Sequence, residues 1–103
     1  MVCRILSVML ALGFVILSFA DKKNFHPKNG YVPDSETAIT IAVAVWAPIY
    51  GRDQIEKEKP YHAVLRSGTW TVTGSLPENA DGGVAEADIS KETGCILRII
   101  HGQ

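Results

Sequence analysis

Residues 61–74, YHAVLRSGTWTVTG, and residues 82–102, GGVAEADISKETGCILRIIHG, decide the fold, because both read with a period of two. In the first, Tyr61, Ala63 and Leu65 alternate with His62, Val64 and Arg66. Ser67-Gly68 then turns the chain, and Trp70 and Val72 alternate with Thr69, Thr71 and Thr73. Successive strand side chains point to opposite faces, so this pattern predicts a hairpin with one covered face. In the second stretch Ala85, Ala87 and Ile89 share a side, Lys91–Gly94 supplies a turn, and a last strand carries Leu97 and Ile99. Pro77 and Gly82-Gly83 break the connection between the two hairpins. The reading is a four-strand antiparallel meander whose inward face holds Tyr61, Ala63, Leu65, Trp70, Val72, Ala85, Ala87, Ile89, Leu97 and Ile99.

Upstream the period changes. Ala38, Ile41, Ala42, Val45, Trp46 and Ile49 follow the i, i+3, i+4, i+7 spacing of a buried helix face. Asp34 or Ser35 is placed to cap that helix, and Glu36 falls where its dipole favours an anion. Pro48 removes an N–H from the last turn, and Gly51 is a natural stop. The run RDQIEKEKP, residues 52–60, reads as one short helical turn on a solvated charged face, anchored by Ile55 alone. The alanines of the third strand leave room for the helix to lie close. The fold class is α+β: one N-terminal helix packed on a curved four-stranded antiparallel sheet.

The chain begins MVCRILSVMLALGFVILSFADKK, residues 1–23. Arg4, an apolar run to Phe19 and the small-x-small Ser18-Phe19-Ala20 have the build of a secretory signal, too short for a bilayer span of roughly 20 residues. The expected organisation is a signal peptide over 1–20, a flexible leader over 21–33 and one domain over 34–103. Export into a bacterial periplasm follows, with no membrane attachment after cleavage. Removing the first 20 of 103 residues leaves 83, with 9 basic residues against 11 acidic, a net charge of −2. Such a balance excludes a phosphate-tracking nucleic-acid surface. Cys3 would depart with the signal, leaving Cys95 as an unpaired, half-buried and inert thiol.

Several residues invite an enzymatic reading, and Tyr50, His62 and Asp88 are the available acid–base groups. Alternation puts His62 and Asp88 on the face away from the core, and no catalytic residue is assigned. His26, His62 and His101 match no ligand spacing, so neither a metal nor a cofactor is expected. The outward face is richer: His62, Val64, Arg66, Thr69, Thr71, Thr73, Val84, Glu86, Asp88, Ile96, Arg98 and Ile100. An apolar centre with charges around it suits a protein partner, and His62, Glu86, Asp88 and Arg98 are the candidate partner-binding residues. A homodimer or the leader is the alternative cover for this face.

Residues 31–51, 61–77 and 82–102 resemble, in that order, the bacterial NTF2-fold immunity proteins of the YbbC/YhhH type. The specific pieces are Pro48-Ile49-Tyr50-Gly51, Trp70-x-Val72-x-Gly74-x-Leu76-Pro77, Gly82-Gly83-Val84-Ala85-Glu86-Ala87 and His101-Gly102. The resemblance implies a trimmed cystatin/NTF2-like fold, since a full NTF2 domain carries more helix. It also implies a small exported inhibitor that binds a cognate protein toxin and blocks it by occlusion. The alternatives are an NTF2-like domain for a small ligand or a reaction, and an envelope-associated structural module.

Overall fold

A computed structural model of the chain describes Cys3 and residues 23–78 and 80–102. The expected signal peptide lies outside the described residues except for Cys3. The elements run α1 (Ser35–Tyr50), α2 (Arg52–Glu56), β1 (His62–Arg66), β2 (Thr69–Thr73), β3 (Ala85–Ser90) and β4 (Ile96–His101). The four strands form one antiparallel sheet in the order β1-β2-β3-β4. The fold is therefore the one the two periodicities dictate, a helix on an open meander.

α1 starts where Asp34 accepts the Thr37 N–H at 2.8 Å, which satisfies an orphan donor of the first turn. It continues through Pro48 to Tyr50 and ends at Gly51, whose positive φ of 101° suits glycine. Its buried stripe is Ala38, Ala42 and Trp46, set against Val72, Ala85, Ala87 and Ile89 of the sheet. Alanine facing alanine brings backbone close to backbone, and Trp46 and Trp70 occupy the remaining space between the layers. The Trp70 indole N–H donates to the Val32 carbonyl at 2.8 Å, whereas that of Trp46 has no acceptor among the described residues.

The sequence-derived core needs three corrections. The helix stripe steps by four from Trp46 to Tyr50, so Ile49 faces out and is 56% exposed. Leu65 lies on the edge strand β1, next to its turn, and stays exposed. Leu97 is 56% exposed because β4 is bulged: Asp88 pairs with Arg98, Ile89 with Ile96, and Leu97 between them has no partner. A bulge inserts one residue and shifts parity beyond it. Ile96 consequently pairs with buried Ile89 in the register, while itself staying 37% exposed.

Two further contacts tie down chain that looked free. Tyr31 and Val32 donate their N–H groups to the Glu92 and Lys91 carbonyls, and Val32 is buried against the core. The end of the expected leader is thus docked on the β3–β4 turn. Cys95 is not an unpaired thiol in the full chain. It is buried and forms a disulfide with Cys3, with the two Cα atoms 5.2 Å apart. The expectation treated Cys3 as lost, so it left Cys95 without a partner.

Candidate functional site

Strand register places the four predicted partner residues in two adjacent rows of the outward face. One row is Val64–Thr71–Asp88–Arg98 and the other His62–Thr73–Glu86–Ile100. Within the first, the Arg98 guanidinium donates to Asp88 at 2.8 Å and reaches across to Glu86 at 3.6 Å. Thr71 donates its hydroxyl to the other Asp88 oxygen at 2.8 Å. The Arg98 hydrogen bond, reinforced by that of Thr71, holds the Asp88 carboxyl below its ordinary range against the opposing effect of burial. Arg98 in turn is pushed up, first by Asp88 and then by Glu86. Glu86, Asp88 and Arg98 therefore form one connected cluster. His62 shares the row of Glu86 but is two strands away, with Thr73 between, and takes no part in it. Val64, 48% exposed, and Ile100, 40% exposed, flank the cluster with apolar surface.

The inner side holds a constellation that alternation did not reveal. Glu58, read from EKEKP as a solvated charge, is fully buried. Its Oε1 accepts the backbone N–H of Ala85 at 2.8 Å. Its Oε2 accepts the Gln54 side-chain amide at 2.9 Å and the His101 Nε2–H at 2.8 Å. Its backbone carbonyl takes the Ser75 N–H at 2.7 Å. Donors from α2, the start of β3 and the end of β4 thus converge on one carboxylate, and the exit of β2 is held by the backbone carbonyl of the same residue. A buried charge is costly unless paired and fully hydrogen-bonded, and here every carboxylate oxygen has a donor. Burial raises the pKa of Glu58, but the Ala85 N–H, the Gln54 amide and His101 outweigh it, and the group sits below its ordinary value.

Glycine makes the convergence sterically feasible. A Cβ on Gly74 would stand 2.5 Å from Glu58 Oε1 and 2.9 Å from its Cβ. A Cβ on Gly83 would overlap the backbone of Gly102, whose N–H donates to the Val84 carbonyl at 3.1 Å. The Tyr50 ring stacks at a tilt on His101, with centroids 4.9 Å apart. Tyr50, Gly74, Gly83–Ala85 and His101–Gly102 are also pieces on which the sequence resemblance rests. The available signal for this site was therefore the glycines and the terminal His-Gly, not the charge run.

A carboxylate on a histidine can orient an imidazole for acid–base work, provided the other ring nitrogen is open to a substrate. Here His101 Nδ1 is 2.9 Å from the Gly102 carbonyl, so both nitrogens are engaged. Tyr50 stacks on this ring, while His62 and Asp88 lie on the opposite sheet face; the three do not meet. Among the described residues no group of three or more His, Cys, Asp and Glu is arranged to hold a metal ion. Chemically the arrangement is a structural anchor on one side and a mixed polar and apolar display on the other.

Residues 37–103 match the family described as NTF2 fold immunity protein, and the chain belongs to that family. It is similar to two proteins of Escherichia coli (strain K12). The match to the uncharacterized protein YhhH is 38% identical over 73 residues, 70% of this chain and 58% of the relative. The match to the uncharacterized protein YbbC is 38% identical over 55 residues, 52% of this chain and 45% of the relative. The chain thus spans about half the length of the curated relatives it matches. No solved structure matches it. Among the described residues no helix is long and apolar enough to cross a membrane.

Proposed function

We propose that this chain is an exported immunity protein whose outward sheet face binds a cognate protein toxin and blocks it by occlusion. Family membership supports the immunity role, and the Glu86–Asp88–Arg98 cluster between Val64 and Ile100 carries the choice of surface. An apolar patch beside charged groups fixed by mutual hydrogen bonds suits a protein partner, because the charges are already oriented before contact. Beneath this face, Glu58 links the start of β3 to the end of β4. Export rests on the Arg4, apolar-run and Ser18-Phe19-Ala20 pattern, and the periplasm is the compartment it implies.

The test is expression of the neighbouring reading frames, with co-expression of the chain and any exported product that alone arrests cells. Growth restored by the exported chain supports the proposal. Continued arrest despite stable expression in the same compartment contradicts it and leaves an envelope-associated module as the better reading. A homodimer through the outward face would instead appear as a concentration-dependent doubling of mass, lost on charge reversal at Glu86 and Asp88.

A further inference from the structure

The imidazole of His101 is hemmed between two oxygens. Nε2 lies 2.8 Å from the Glu58 carboxylate and Nδ1 lies 2.9 Å from the Gly102 carbonyl. Neither oxygen carries a proton to donate, so both contacts are hydrogen bonds only when both ring nitrogens are protonated. We propose that His101 is a proton-operated latch: as the imidazolium it ties the end of β4 to Glu58, and loss of one proton leaves a bare nitrogen facing an oxygen and loosens that end.

Groups packed around the ring leave Glu58 in control. Tyr50 from α1 presents its ring, Gln54 from α2 binds Glu58 rather than His101, and the strand partner on β3 is Ala85. Tyr61, beyond Glu58, donates its hydroxyl to the Ile55 carbonyl at 2.7 Å. Glu58 is the charged group acting on His101 among the described residues. The hydrogen bond to Glu58, then that to Gly102, holds His101 above its ordinary value of 6.5, against burial.

The sign follows from the direction of each displacement. The contribution of His101 to stability is complete below pH 6.5, its unfolded value, and is lost as pH rises through its higher folded value. That of Glu58 is complete above 4.5 and is lost as pH falls through its lower folded value. The latch is therefore fully shut between pH 4.5 and 6.5 and opens on the alkaline side. What loosens first is the Gly102 N–H bond to Val84, together with the close approach of Gly102 to Gly83.

The experiment is nitrogen-15 NMR of the imidazole in the full chain, with amide-exchange protection of Gly102 followed from pH 5 to 9. At pH 6 both ring nitrogens of His101 should be protonated. Protection should then fall as the ring titrates, by at most about tenfold per pH unit for one linked proton. Glu58→Gln should move the titration back toward the ordinary histidine value, and His101→Gln should remove the pH dependence of protection. A ring already neutral at pH 6, or protection that does not change through the titration, would overturn the proposal. The wild-type measurement decides this even where either variant fails to fold.

Discussion

Glu58→Ala is the most revealing single change. It removes the acceptor of the Ala85 N–H, the partner of the Gln54 amide and the counter-charge of His101. Ala85 is itself fully buried, so water cannot readily replace the lost acceptor. Breaking a buried ion pair from one side costs about 3–5 kcal/mol, much of it from the charge left behind. A domain of this size has a total stability of about 5–15 kcal/mol, so the variant retains at best part of its stability. Each kcal/mol moves the melting temperature by about 4–8 °C in so small a domain, and the fall should exceed about 12 °C. Glu56→Ala is the control. Glu56 is exposed and its carboxylate pairs with Lys59 at 3.2 Å, an i,i+3 surface pair of a kind that contributes about 0.2–1 kcal/mol. Thermal and denaturant unfolding at pH 6 compares the two. A Glu58→Ala chain melting within a few degrees of the Glu56→Ala chain would return residue 58 to the solvated face.

Trp46→Ala should cost roughly 3–5 kcal/mol in denaturant unfolding, whereas Trp46→Phe should cost much less, since it also removes an indole N–H that has no acceptor. Trp70→Phe should be the more damaging of the two Phe variants, because it orphans the Val32 carbonyl. Intact-mass analysis of exported protein, before and after reduction, should show a chain beginning at Asp21. A chain that retains residues 1–20, or carries them through the Cys3–Cys95 disulfide until reduction, would contradict cleavage and release at Ala20.

The sheet was legible because alternation is a local property. Thr69–Thr73 and Ala85–Ser90 each show their two faces in sequence, and the observed burial follows them. β4 was only half legible: ILRII is apolar on both parities, so nothing local marked Leu97 as the extra residue or paired Ile96 with Ile89. The candidate partner residues were found by the same alternation, and three of the four meet. The buried anchor was illegible for a different reason. A glutamate among lysines and glutamates reads as surface, and its burial depends on donors 27 and 43 residues away in sequence. Gly74 and Gly102 were visible as glycines, but what each makes room for is a tertiary fact.

Whether the outward face binds a toxin is read from its affinity for a toxin domain whose arrest of cells the chain relieves. The comparison is between the wild type, Glu86→Lys with Asp88→Lys, and Glu56→Lys, by titration calorimetry with melting temperatures measured alongside. Asp88 is tied to Arg98 and Thr71, so the double variant should lose some melting temperature while remaining folded. Losing charge pairs at a desolvated interface costs about 2–5 kcal/mol, and 1.4 kcal/mol is tenfold in affinity. The double variant should bind at least about 30-fold more weakly, while Glu56→Lys binds as the wild type does. A folded double variant with wild-type affinity would contradict binding through the outward face.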